Sequence, residues 1–237
     1  MTGVRIVHLY ATEMNIYGDN GNVAVLRRRL EWRGIGVQVS RVGVGDPLPA
    51  DTHVLVGGGG QDAGQAVITD DLAAKGPDLR ARADDGVPML LICGMYQMAG
   101  HHFAPYDAPR LPGVGLLDLH TEAGPTRLIG NVVARSDFGE LVGYENHSGL
   151  TYLGSQARPL GQTALGQGNN GTDGTEGARR DNVVGTYLHG PVLAKSPALA
   201  DHLLTAALAA AGMSHDLEPL DDSLAAQAAQ VARGRPR

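Results

Sequence analysis

Between a turn signal at Asp84-Asp85-Gly86 and the glycine at position 94, the chain reads VPMLLIC over residues 87–93. A run this short and this uniformly apolar suits a strand buried on both faces. Such strands occur where helices cover both sides of a parallel sheet. This stretch therefore constrains the fold more than any other in the chain.

The neighbouring segments fit that frame. VRIVHLY (Val4–Tyr10) is a β-rich run followed by the glycine-bearing loop ATEMNIYGDNGN and a helical stretch, VAVLRRRLEWRG, that Gly34 closes. GVQVSRVGV (Gly36–Val44) alternates as a strand does, and HVLVGGGGQD places an apolar strand directly before four glycines. Residues 63–85 have helical texture broken at Gly76-Pro77, which predicts two short helices. Alternating strands and helices of this kind give an α/β fold with a central, mostly parallel sheet flanked by helices.

Beyond residue 100 the strands shorten and turn signals multiply, in GVGLLDLHTEA, TRLIGNVVARS, LVGYENHSGLTYL and NVVGTYLHG. The expectation is antiparallel or mixed sheet added to the first half. Residues 161–182 are rich in Gly, Asn and Thr and read as a long, mobile hairpin loop. Ser196-Pro197 starts a last long helix, with Gly212 as its cap. Residues 1–220 are expected to form a single domain, and 221–237 a tail that is partly helical and frayed at its Arg-Pro-Arg end.

With 237 residues, 43% of them hydrophobic, the chain is long enough for one sizeable core. A net charge of -6 and the lack of a long basic block argue against nucleic-acid binding. A single cysteine excludes an intrachain disulfide framework, and there is no 18-residue apolar run or signal-type leader. The expected location is the cytoplasm, with no membrane span. No H-x-x-x-H or C-x-x-C pair appears, so no metal site is expected.

That one cysteine, Cys93, stands where the apolar strand ends and a helix-compatible segment, MYQMAGHHF, begins. Free cysteine commonly packs as a small hydrophobe. A strand-turn-helix elbow instead presents a nucleophile at the carboxyl end of a sheet, with the following backbone N–H serving an oxyanion hole. Here that following residue is Gly94. The turn GGGGQD could bring further donors, with Gly58 and Gly59 as the candidates. It lacks the Gly-Lys-Ser/Thr of a phosphate-binding loop. Among nine histidines, His189 stands at the end of an apolar strand and before Gly190-Pro191, which would project its imidazole from the sheet; His147, in YENHSG, is the second candidate base.

Six motifs, MNIYGDNGN, GGGGQD, ICGMYQ, RLIGNVV, ENHSG and GTYLHGPVL, in this order resemble a class I glutamine amidotransferase domain. The branch is that of cobyric acid synthase and cobyrinate diamide synthase, and within it the GatD-type glutaminase subunits of lipid II isoglutaminyl synthase. The resemblance implies a flavodoxin-like sheet and hydrolysis of L-glutamine by Cys93 as nucleophile and His189 as base. It implies an oxyanion region at Gly58, Gly59 and Gly94, and substrate binding by Arg127, with Gln61 and Tyr96 shaping the glutamine pocket. It further implies a heterodimer with a MurT-like, Mur-ligase-related subunit that uses ATP and magnesium, receives ammonia along a sheltered path and amidates the D-glutamate of lipid II. No cofactor is implied in this chain itself.

Two positions depart from the family pattern. Met95 stands where most such elbows have a second glycine. Pro191 stands where many have the glutamate that orients the histidine, so the resemblance implies an aspartate supplied by the partner. Two other readings share the elbow: a cysteine hydrolase of flavodoxin-like fold, such as a peptidase or DJ-1-like protein, and a non-catalytic binding module.

Overall fold

Ile6, Val7 and Leu9, then Val54–Val56, then Met89–Ile92 are almost wholly withdrawn from water, as strands covered on both faces must be. In the computed structural model, which describes residues 3–214 and 216–235, they are the middle of one sheet. The first half of the chain runs β1 (Val4–Leu9), α1 (Asn20–Trp32), β2 (Val37–Val42), β3 (Val54–Gly57), α2 (Asp62–Asp84), β4 (Met89–Ile92) and α3 (Gly94–Met98). It continues through β5 (His102–Ala104), β6 (Leu111–Pro112), β7 (Leu119–Ser136), β8 (Gly139–Leu153), β9 (Gly161–Leu165), β10 (Thr175–Glu176), β11 (Ala178–Arg180) and β12 (Val183–Thr186). A 3-10 turn at Val192–Ala194, α4 (Pro197–Ala210) and α5 (Ser223–Arg233) complete it.

The first sheet has the order β11-β12-β4-β3-β1-β2 and is parallel except for β11. The second has the order β10-β9-β7-β5-β6, with β8 paired to β7. Its ladders are antiparallel save for β5 with β7. The α/β class and the mixed second half expected from the sequence are thus present. The β7–β8 ribbon is longer than expected, because the glycine and proline at 124–125 make an irregularity between Ala123 and Leu128 without ending the strand.

Two expectations are corrected. α2 is one continuous helix through Pro77, not two short ones. Gly76 has no β-carbon to clash with the proline ring, and Leu72, Leu79 and Ala83 bury one face on both sides of it. Arg80 also ties the helix to the Val114 carbonyl at 2.6 Å. Tertiary packing outweighs the lost backbone bond.

Residues 161–182 are not a solvated loop either. Asn169, Asn170 and Glu176 are buried. Asn169 donates to the Gly177 carbonyl and Thr175 hydroxyl, and the Asn170 side chain accepts from the backbone of Thr172 and Asp173. Polar side chains here replace the backbone partners that a regular strand would have supplied. In the tail, α5 is a helix, while Pro236 and Arg237 of the expected frayed end lie outside the described residues.

Candidate active site

The carboxyl ends of β1, β3, β4 and β12 lie side by side, and each is followed by one of the quoted motifs. Ligands of open parallel sheets bind at that edge. Cys93 sits between β4 and α3 with φ 49° and ψ -105°, a conformation strained for a residue with a β-carbon. It is held from both sides: its N–H donates to the Thr186 carbonyl at 2.8 Å, and its carbonyl accepts from Gln97 N–H at 2.9 Å. Strain of this sort is what a nucleophile elbow imposes.

His189 follows β12, fixed by a two-way backbone bridge to Tyr144. Its Nδ1 lies 3.0 Å from Asp19 Oδ1, and both side chains are at most 1% exposed. The imidazole therefore does not project into solvent as expected. The Tyr17 ring covers it edge-on, with centroids 4.8 Å apart. With Nδ1 engaged by Asp19, Nε2 is the nitrogen left for the Cys93 sulfur, and it has no other partner among the described residues. Burial by itself would lower the His189 pKa, but the Asp19 carboxylate and the Cys93 sulfur outweigh burial and hold it at about 10.

Asp19 is the functional residue that the sequence reading missed. In this chain Nδ1 of His189 is met by the aspartate of its own MNIYGDNGN loop, at the place for which the resemblance implies an aspartate of the partner. The position two residues beyond His189 is occupied by Pro191, whose ring packs directly on Gly21, where an added β-carbon would clash with it. Asn22 Oδ1 accepts the Leu193 N–H at 3.0 Å and clamps that turn against α1. Asp19 precedes α1 and, from there, reaches back to His189. Its second oxygen accepts the N–H of Gly59 at 2.7 Å.

That bond also revises the oxyanion candidates. The N–H of Gly59 is committed to Asp19, and Gly58 is packed against the Met14 carbonyl, away from the cleft. Gly60, not singled out beforehand, lines the cleft, and a β-carbon on Gly94 would sit 3.0 Å from its nitrogen. The two backbones that meet beside Cys93 are thus those of Gly94 and Gly60. Met95 is resolved as well: its side chain is buried in the apolar core beneath the elbow, against Gly57, Leu72 and Leu91, and leaves the cleft clear.

Above Cys93 opens a cleft of about 520 Å³. Gln61 and Arg127 both line it. Arg127 donates to Asn146 Oδ1 at 2.9 Å and to the Asn146 carbonyl at 3.0 Å, and Asn146 donates to the Tyr17 hydroxyl at 2.7 Å. One wall thus runs from Arg127 through Tyr17 to His189. Tyr96 is placed elsewhere, which corrects its role as a pocket residue. It lies fully buried under β12 against Gly185, donates to Asn169 at 3.0 Å and packs edge-on to Tyr187. A residue three positions into the turn points into the core because α3 rotates it there.

His147, the second candidate base, lines the same cleft. It stacks on Tyr187 and donates from Nδ1 to the Gly149 carbonyl at 2.7 Å. Below the cleft, Gln65 donates to Gln97 Oε1 at 2.9 Å and Gln97 donates to the Tyr187 hydroxyl at 3.2 Å, so the floor is a hydrogen-bonded network. Among the described residues no group of three or more His, Cys, Asp or Glu side chains is placed to hold a metal ion. Likewise no helix is long and apolar enough to cross a membrane.

A sulfur nucleophile, a buried imidazole, a carboxylate on its far nitrogen and an arginine at the mouth can together carry out acyl transfer from a carboxamide. Residues 5–197 match the family model of the CobB/CobQ-like glutamine amidotransferase domain. The chain belongs to that family. It is accordingly a glutamine amidotransferase.

Within the family it is similar to the lipid II isoglutaminyl synthase (glutamine-hydrolyzing) subunit GatD of Staphylococcus aureus (strain N315), with 38% identity over 98% of this chain and 95% of that protein. The subunit of the same name from Streptococcus pneumoniae is 37% identical over 86% of this chain and 80% of that protein. A cobyric acid synthase from Sphingopyxis alaskensis is 34% identical over 82% of this chain, which spans only 40% of that longer protein. The solved PurLQS structure from Thermotoga maritima has TM-score 0.60 at 15% identity, covering 86% of this chain and 98% of that one, and shares the fold. A crystal structure of a glutamine amidotransferase has TM-score 0.58 at 17% identity, over 87% of this chain and 99% of that one.

Proposed function

We infer that this chain is the glutaminase subunit of a lipid II isoglutaminyl synthase. It works with a MurT-like subunit that uses ATP and magnesium to activate the D-glutamate carboxylate of lipid II. The observation that carries the hydrolytic part is a cleft lined by Cys93 and Arg127, with the buried His189–Asp19 pair next to Cys93. The lipid II part is supported by the similarity over nearly full length to the two GatD subunits.

In the proposed reaction the Cys93 sulfur attacks the side-chain carbonyl carbon of L-glutamine. The carbonyl oxygen becomes an oxyanion held by the backbone N–H groups of Gly94 and Gly60. As the tetrahedral intermediate collapses, its C–N bond breaks and His189 gives its proton to the nitrogen, releasing ammonia. Water then loses a proton to His189 and attacks the thioester. Glutamate leaves with the acyl carbon, and Cys93 regains its starting form. Asp19 holds the imidazole in one tautomer and orientation throughout. Arg127 pairs with the α-carboxylate of the substrate.

Ammonia remains useful to the ligase only if it is unprotonated, so the cleft must communicate with the partner away from bulk water. The test combines this chain with its Mur-ligase-like partner and follows glutamate release and lipid II amidation. Wild type should support both with glutamine; Cys93→Ala should lose both with glutamine yet retain amidation when ammonium is added. Undiminished glutamate release by Cys93→Ala refutes the proposal. Full activity without a ligase partner would favour a free-standing cysteine hydrolase.

A further inference from the structure

A second cleft, of about 680 Å³, lies between α1 and the edge strand β2 and shares no lining residue with the glutamine cleft. Strands of parallel sheets are normally covered on both faces. In β2, however, Gln38, Val39 and Arg41 are exposed, so α1 covers that edge only in part. Parallel register pairs His8 with Arg41 and Ile6 with Val39, which places His8 and Arg41 side by side on one face. Arg27, Arg28 and Asn20 of α1 close the other wall.

The lining is basic in excess of its ion-pair partners. It holds three arginines and a histidine and no carboxylate, in a chain whose acidic residues outnumber its basic ones by 25 to 19. Arg27 and Arg28 share a single partner, Glu31. Arg41 has no ion-pair partner among the described residues. His8 is only 4% exposed, and its Nε2 has no hydrogen-bond partner among the described residues. A buried polar atom left unpaired costs free energy that a ligand oxygen would recover.

The shape of the surface identifies the occupant. Arg28 and Ala24 also line the neighbouring groove that contains Trp32, so the basic cleft continues into a groove where Val25, Trp32 and Leu224 offer apolar surface and Asp222 is already paired with Arg29, with Asp221 at its margin. Trp32 is 66% exposed and Val39 is 37% exposed. A free inorganic anion would use the charges alone. Carboxylates set among apolar side chains on a protein segment would use both, and exposed Trp and Arg are the side chains on which interfaces concentrate their energy.

Building on the function inferred above, we propose that the α1–β2 cleft is the docking site for an acidic segment of the ligase partner subunit. Complementary charge there sets the register of the two subunits and makes their association salt-dependent.

The experiment measures association of the full chain with the purified ligase subunit at low and high salt. Wild type is compared with Arg41→Glu, with Arg27→Glu and with Arg110→Glu as a charge-matched control outside the cleft. The proposal expects Arg41→Glu and Arg27→Glu to weaken the complex on the order of tenfold or more, with less salt dependence, and Arg110→Glu to bind as wild type. Melting temperature and glutamine hydrolysis by the free chain should stay at wild-type values, since neither arginine lines the glutamine cleft. Equal binding by all variants overturns the docking site. So does saturable binding of inorganic phosphate, read by Trp32 fluorescence and lost in Arg41→Glu, if that variant still forms the complex normally. The two inferences fail separately: a complex that depends on Arg41 but never amidates lipid II removes the proposed function alone. A complex that amidates and ignores Arg41 removes the docking site alone.

Discussion

Replacing Asp19 by Asn keeps the shape of the side chain and an acceptor for the Gly59 N–H, but removes the charge opposite His189 Nδ1. In the protein that contact is 3.0 Å long between groups that water scarcely reaches. A charge-assisted bond of this kind contributes roughly 1.5–3 kcal/mol, or about 10- to 150-fold in rate if fully used in the transition state. Loss of tautomer control raises the penalty further, toward about 10⁴-fold in the serine-hydrolase analogue. Steady-state glutamine hydrolysis by the ligase complex should therefore show kcat reduced between about 10² and 10⁴-fold, with KM changed much less. Burial then dominates the imidazole, so the pH at which activity changes on the alkaline side should move down from the region of 10. The fold should survive with a lower melting temperature, because a buried charged pair has lost one member at a cost of about 3 kcal/mol, or roughly 6–12 °C for a chain of this size. A kcat/KM within threefold of wild type and an unmoved pH profile would refute the reasoning, and would leave the orienting role to a carboxylate outside this chain.

Arg127→Ala should raise KM for glutamine by roughly ten- to a hundredfold with a smaller change in kcat, as expected for a charged contact to the unreacting end of the substrate; a kcat effect with unchanged KM would contradict the assignment. Stability should also fall as pH rises. Glu176, fully out of water, is raised to about 7 by burial, and His189 is held at about 10. Both folded-state values lie above the unfolded ones, so each contribution is complete below about 4.5 for Glu176 and about 6.5 for His189, and is lost as pH rises through 7 and 10 respectively. Glu176→Gln should flatten the lower part of that decline, by about 3 kcal/mol between the two Glu176 values; melting curves from pH 4 to pH 10 with no slope near pH 7 would count against it.

Much of the chemistry was legible because it is local. VPMLLIC followed by glycine forces a buried strand into a tight turn, and a cysteine at that point has no ordinary helical or extended conformation available to it. The histidine after NVVGTYL follows from the same logic on the neighbouring strand. Tyr96 was misread because a motif gives sequence order and not rotation: one short helix turned it from the cleft into the core. The hairpin at 161–182 was misread because its composition resembles solvated loops, while its asparagines are buried through hydrogen bonds to the hairpin's own backbone and side chains, joined by Tyr96 and Thr151 from outside it.

The sequence by itself determined the α/β class and marked the elbow at Cys93 and the glycine turn beside it, since each rests on the periodicity or backbone freedom of a few consecutive residues, while the preference for His189 over His147 came from the order of motifs that resembles the family. Only the tertiary structure brings Asp19, 170 positions away in the chain, against Nδ1 of His189. It also decided that Gly60, and not Gly59, lines the cleft beside the thiol, and that the α1–β2 edge gathers three arginines and a histidine in one cleft. Those are matters of which side chains meet across a sheet edge. The meeting of Asp19 with His189 is a contact that no spacing along the chain records.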